Sequence, residues 1–298
     1  MIVMNVLGIG GNAVDYYMQR GLMYAGGSQL NFAVYAKMLN IKNSAYMGVF
    51  GSDEAGIFLK NVLINKRIDI SRCTTKEGDN CAFEIEINNG ERIVNLQGYK
   101  PGVMKNHPLI ITKEDLQYIE KFDFVHTMCW VYMDDNLPLF KDRNFLLSYD
   151  FSVKSNIDTN NDFLCKIAPT IDFAIFSCSS MNYENINSLI QKTHNAGTPH
   201  VLVTMGKEGQ IFSSNNIRYN NRAKKLSPKD TLGAGDAFIA SFAVHMLQSG
   251  WTRNTTPNDK EVKYALKKAT DFSSEICMLD GAFSCSCRIP DSKLRGVF

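Results

Sequence analysis

Asp230-Thr231-Leu232-Gly233-Ala234-Gly235-Asp236-Ala237-Phe238, written DTLGAGDAF, sets two carboxylates around two glycines and runs straight into an apolar pattern. Phe238, Ile239, Phe242, Ala243, Met246 and Leu247 recur at steps of three and four, which predicts a helix starting at about Gly233 with that face buried. The backbone N–H groups of a first helical turn have no partner inside the helix, and glycines let a ligand approach them closely. Together with the helix dipole they make an anion site. Asp236 falls about one turn in, where a carboxylate accepts a hydroxyl proton while the amides hold a phosphoryl group. Acidic residues also complement the dipole of ordinary helices. The motif alone therefore fits both an active site and a plain helix start.

Working outward, short apolar runs alternate with amphipathic stretches. Strands are predicted at Val3–Ile9, Ala45–Val49, Phe124–Thr127, Leu146–Phe151, Phe173–Phe176 and Val201–Thr204. Helices are predicted at Asn31–Leu39, Ala55–Asn65, Lys113–Glu120, Asp162–Ala168 and Tyr183–Asn195. Continuous apolar strands separated by helices imply an α/β fold with a parallel sheet covered on both faces. One region breaks the rhythm. Ala82–Ile87 alternates as AFEIEI, Asn88-Asn89-Gly90 turns the chain, and Arg92–Leu96 returns, a hairpin pattern. With Tyr16–Ala25 as a source of neighbouring strands, residues about 12–27 and 80–100 are expected to form a small antiparallel flap. Such a flap covers a ligand or a partner subunit, or merely ornaments the sheet edge.

The 298 residues are 45% apolar and carry a formal net charge of +2, so a large core is available and nothing favours nucleic acid or an anionic membrane. Arg222-Ala223-Lys224-Lys225 reads as a solvated edge. No apolar run reaches the roughly 18 residues of a membrane span, and the opening MIVMNVLGIGG lacks a basic leader. Of the eight cysteines, Cys129, Cys165, Cys178 and Cys277 lie in apolar surroundings, and Cys285-Ser286-Cys287 lacks the second pair a zinc site needs. The expectation is a reduced, cytoplasmic chain.

Two further glycine clusters matter. Val201–Gly209 (VLVTMGKEG) reads as a buried strand running into a glycine turn, followed by a second strand at Gln210–Ser213. It suits either a nucleotide loop at the carboxyl end of a strand or a hairpin turn. Gly8-Ile9-Gly10-Gly11 lacks the spacing of a dinucleotide fingerprint, which excludes a Rossmann cofactor site. Asp15 and Asn31, short polar residues at strand and helix ends, suit hydrogen bonds to sugar hydroxyls.

GGSQLNFAVYAKML (Gly26–Leu39), TMGKEG (Thr204–Gly209) and DTLGAGDAF, in this order, resemble the PfkB/ribokinase family of carbohydrate kinases along essentially the whole chain. The resemblance implies one domain spanning 1–298, a ribokinase-like three-layer α/β/α sandwich with a β-sheet lid over the sugar. It implies ATP and Mg²⁺, the metal bridging the phosphates largely through water. Asp236 would be the base, and Gly233, Ala234 and Gly235 the anion hole. Thr204, Gly206, Gly209 and Thr231 would line the nucleotide site. Asp15, Gly26, Gly27 and Asn31 would contact the sugar. Asp230, with the loop around Gly281, matches where some relatives hold K⁺. The chain departs from the family at Gly10-Gly11, often Gly-Asp or Gly-Glu, and at Ser180–Glu184, where Asn and Glu stand two apart in place of the family's Asn-x-x-Glu; Glu184 is thus only a candidate to organise Mg²⁺.

Gly10–Asp15, Gly26–Tyr35, Val125–Trp130, Tyr149–Ser152 and Asp172–Ser177 resemble bacterial fructoselysine 6-kinases more than ribokinases or adenosine kinases. The resemblance implies a fructosamine phosphorylated on its terminal primary hydroxyl, with fructose, ribose or a nucleoside as alternatives, and a non-catalytic binding protein as the rival of another class. Trp130, Tyr132, Asp134 and Asp135 are placed to meet a cationic tail, although the ring of Trp130 suits the core better. A homodimer through the flap would cover its outer face.

Overall fold

Alternate residues of a strand face opposite sides of its sheet, and in this chain both sides of the central strands are apolar. Val6, Phe124, Leu146, Phe173, Leu202 and Phe212 point into one core. Their neighbours Leu7, Val125, Leu147, Ala174, Val203 and Ile211 point into another. The computed structural model describes residues 4–88, 91–152, 161–255 and 257–294. Val3, the Asn89-Gly90 tip of the expected hairpin and Thr256 lie outside the described residues.

The elements in chain order are β1 (Asn5–Ile9), β2 (Ala13–Tyr17), β3 (Leu22–Gly26), α1 (Ser28–Met38), β4 (Asn43–Met47), β5 (Val49–Gly51), α2 (Glu54–Asn65), β6 (Thr74–Lys76), β7 (Ala82–Asn88), β8 (Glu91–Lys100) and α3 (Lys113–Ile119). There follow β9 (Phe124–Met128), β10 (Leu146–Asp150), α4 (Asn161–Ile167), β11 (Phe173–Ser177), α5 (Tyr183–Asn195), β12 (His200–Thr204), β13 (Gln210–Ser214) and β14 (Ile217–Asn221). Last come α6 (Ala234–Gln248), α7 (Asp259–Ile276), β15 (Ser286–Arg288) and α8 (Asp291–Leu294). The central sheet runs β14-β13-β12-β11-β10-β9-β1-β4. It is parallel from β4 to β12, and the hairpin β12-β13-β14 ends it antiparallel.

Helices α1, α2, α6 and α7 pack into the first core, and α3, α4 and α5 into the second, so the layers are α/β/α. The expected sandwich is the observed one. Helix α6 is apolar almost all round because it lies between the sheet and α7, as a core helix must.

The second sheet has the order β15-β3-β2-β7-β8. The expected strands from both halves are present, but the sheet is not wholly antiparallel: β2 and β7 pair parallel, Asp15 opposite Phe83. The chain between them runs through β3 to β6 instead of a hairpin, and a long crossover is what permits a parallel pair. A fifth strand, β15, comes from near residue 287 and was not anticipated. Cys165, expected among apolar neighbours, is exposed on α4.

Candidate active site

Gly233 caps α6 in the left-handed conformation, with φ 74°. A Cβ there would also lie 2.3 Å from the Tyr35 hydroxyl, so only glycine combines this turn with this packing. On Gly235 the opposite holds: a Cβ would meet no atom within 4 Å, and the space in front of the helix is open. Ala234 N–H donates to Thr231 O at 3.3 Å, and the first-turn amides beyond it face that space.

Asp236, in the first turn of α6, is clasped from α1. Ser28 Oγ donates to its Oδ1 and Asn31 Nδ2 to its Oδ2, each at 2.7 Å. Ser28 and Asn31 are three apart on one helix face, so a single turn of α1 orients both carboxylate oxygens. Asn31 was expected at the site; Ser28, quoted within GGSQLN but given no role there, was missed. Asp150 was missed too. It ends β10, accepts Ser152 N–H at 2.6 Å, and is buried. Burial, reinforced by the charge of Asp236, pushes its carboxyl up to about 7. A carboxylate closing a buried strand was the available signal.

The other wall comes from the second sheet. Asp15 is buried on β2, opposite Tyr24 of β3. A Cβ on Gly26 would lie 2.2 Å from Asp15 Oδ2, so the carboxylate rests against bare backbone. A Cβ on Gly27 would lie 2.6 Å from Asn12 Cα, and this residue leads into α1. Asn12 Nδ2 donates to Tyr46 Oη and Val49 O, while its Oδ1, like Asn31 Oδ1, is buried with no partner among the described residues.

Thr204 ends β12 beside Ser177 of β11, and Gly206–Glu208 form a single turn closed by Gly209. Thr231 lies half-buried between Asp230 and Gly233. Behind the glycine turn, on the α5 side, a cavity of about 660 Å³ is lined by Lys207, Arg218, Arg222, Lys225 and Tyr183. It contains none of Asp236, Asp15 or Asn31 and so lies apart from the clasped carboxylate.

Of the two residues expected to hold cations, Glu184 is exposed in the first turn of α5, and no described contact joins it to Asp236. Asp230 is buried, accepting from Tyr17 Oη, Leu232 N and Gly281 N. Among the described residues no three His, Cys, Asp or Glu converge. That donor set fits a Mg²⁺ taking most of its ligands from phosphate and water, with Asp150 and Asp236 as the carboxylates at hand. Trp130 is 56% and Tyr132 44% exposed, which corrects the core expectation for the tryptophan. Asp134 accepts from Tyr149 Oη at 2.5 Å and Asp135 meets Lys166 at 3.4 Å.

As a class, the fold and the comparisons that follow define an ATP-dependent sugar kinase on a ribokinase-like fold. The chain belongs to the pfkB family of carbohydrate kinases, which it matches over residues 2–157 and 170–286. It is 30% identical to fructosamine kinase FrlD of Bacillus subtilis (strain 168) over 281 residues, 94% of this chain and 93% of that one. It is 29% identical to fructoselysine 6-kinase of Escherichia coli (strain K12) over 275 residues, 92% of this chain and 98% of that one. The fold is shared with Arabidopsis thaliana ribokinase complexed with ribose and ATP, at a TM-score of 0.76 and 16% identity over 98% and 97% of the two chains. It is also shared with Vibrio cholerae O395 fructokinase in its fructose-, ADP- and potassium-bound form, at 0.72 and 18% over 98% and 97%. Family membership brings ATP and a divalent metal to the reaction. No described helix is long and apolar enough to cross a membrane.

Proposed function

We propose that this kinase transfers the γ-phosphoryl group of ATP to the terminal primary hydroxyl of a fructosamine, fructoselysine to fructoselysine 6-phosphate. The observation that carries the reading is the clasped Asp236 at the N-terminus of α6. In this reading Asp236 takes the hydroxyl proton as the oxygen attacks phosphorus, and the amides around Gly233, Ala234 and Gly235 stabilise the charge on the transferring group. Thr204, Gly206, Gly209 and Thr231 line the nucleotide side, while Asp15, Gly26, Gly27 and Asn31 hold the sugar. Mg²⁺, when bound with ATP, neutralises phosphate charge.

The substrate reading rests on two supports. One is the likeness, over nearly the whole chain, to the fructosamine and fructoselysine kinases. The other is chemical: Asp15, Asn12 Oδ1 and Asn31 Oδ1 offer the sugar side acceptors. Acceptors match sugar hydroxyls and the protonated amine that distinguishes a fructosamine from fructose. With Asp134 and Asp135 engaged elsewhere, the amino-acid tail would run past Trp130 and Tyr132. A homodimer through the second sheet belongs to the same reading, since Ile93 on β8 is exposed.

An ADP-release assay over fructoselysine, fructose, ribose and adenosine tests it. Fructoselysine is expected to give the highest kcat/KM. A preference for fructose or ribose would sink the substrate assignment, and full activity in Asp236→Asn would sink the mechanism.

A further inference from the structure

The carboxylate of Asp230 is fully buried at the start of the phosphate turn, and three donors already converge on it. Tyr17 Oη and Gly281 N–H reach Oδ2, at 2.6 and 2.9 Å, and Leu232 N–H reaches Oδ1 at 2.9 Å. A carboxylate has about four acceptor sites, so Oδ2 is full. Two carbonyls of the following segment are engaged as well. Cys277 O accepts from Lys229 N and Asp230 N, and Ala282 O from Tyr35 Oη. Lys229 and Arg20 direct their charge to Asp280 instead, at 2.6 and 3.0 Å. A monovalent cation at Asp230 would enter a set of N–H and O–H donors, and that donor set does not fit one.

Tyr17 explains what stands there instead. It closes β2, two residues beyond Asp15, and its ring is fixed by an edge contact to Tyr24 at 4.8 Å and by the Arg20 guanidinium at 5.3 Å. Its hydroxyl spans 213 residues of sequence to reach the turn that leads into α6. One hydrogen bond thus joins the strand that carries the sugar's aspartate to the turn that presents the phosphoryl amides. A charge-assisted bond to a buried carboxylate is among the stronger ones available.

We infer that Tyr17 is a positioning residue, whose hydroxyl on Asp230 locks the sugar strand to the phosphate turn and takes the place of a monovalent cation. This rests on the kinase reading but not on the identity of the sugar, so any accepted acceptor serves. Wild-type turnover and melting temperature, measured with Mg²⁺-ATP in matched potassium, sodium and choline chloride, are expected to agree within about twofold and about 2 °C. Tyr17→Phe is expected to lower kcat about tenfold while KM for the sugar moves less than threefold, since alignment in the transition state is what is lost. Activation by K⁺ of fivefold or more, or a K⁺-specific rise in melting temperature, in the wild type would overturn the cation half. Unchanged kcat in Tyr17→Phe, or a loss confined to KM, would overturn the positioning half. Should fructoselysine not be a substrate while another sugar is, the substrate assignment falls and these measurements stand on that sugar.

Discussion

The turn before α6 and the floor beneath the second sheet adjoin one another, yet their polar groups are in opposite states. On the turn, Asp230 accepts three hydrogen bonds and Asp236 two. On the floor are Asn12 Oδ1, Gln29 Nε2 and Asn31 Oδ1, which with His126 Nε2 and Thr127 Oγ1 of β9 are the buried side-chain atoms without a partner among the described residues. Such an orphan costs about 1–3 kcal/mol, and a fold keeps a group of them where a ligand offsets the cost. In the proposed reading the phosphate end is organised before its ligand arrives, and the sugar end would be completed by it. Gln29 shows both states in one side chain, its Oε1 holding Gly11 N–H at 3.0 Å while Nε2 stays unpaired.

Asp236→Asn breaks the finished side most severely. The clasp from Ser28 and Asn31 would survive in part, but the proton acceptor would not, and turnover should fall by roughly 10³-fold or more with ATP affinity near wild type. Loss of ATP binding in a calorimetric titration would instead mark Asp236 as a binding residue. Asp150 gives the next largest effect. Its carboxyl holds a proton to about pH 7 in the folded state, whereas an unfolded aspartic acid loses it near 3.8. Between those values the folded chain binds the extra proton, so stability of the ligand-free protein falls as pH rises through that window, by about 4 kcal/mol in all. Asp150→Asn should remove that slope in urea melts at pH 5 and 8; an unchanged slope places the titration elsewhere.

On the unfinished side, Gly26→Ala drives a methyl against Asp15 Oδ2 and should raise the sugar KM at least tenfold with KM for ATP unmoved. Equal rises in both would show a general loss of structure. Ser28→Ala sharpens the comparison with the smallest effect. It removes one of two clasps, and a few-fold drop in kcat is expected. A drop as deep as that of Asp236→Asn would mean that Ser28 handles the proton.

Local patterns were legible in the sequence and distant ones were not. The strand-helix alternation, the α6 start at Gly233 and the turn of Gly26-Gly27 into α1 all depend on neighbours within a few residues, where periodicity and backbone sterics act directly. Asp236 and Asn31 were legible as separate residues, yet the bond between them joins positions 205 apart. The parallel pairing of β2 with β7 is set by a crossover, and no turn motif encodes it. Trp130 was misjudged because a large ring suits the core by composition, whereas its backbone here runs into a turn where Tyr132 has φ 55°. Asp150 stayed unread because nothing in Tyr149–Ser152 reveals that Asp236 lies near it.

Strand β15 sets an order of assembly during synthesis. Its residues 286–288 pair with residues 22–24 of β3, beside the strand that carries Asp15. A ribosome adding about 5–20 residues per second reaches them tens of seconds after β3 has emerged. For that interval the β3 edge of the second sheet is open, and an open edge invites pairing with other nascent chains. The second sheet is among the earliest parts of the chain to be made and among the last to be closed.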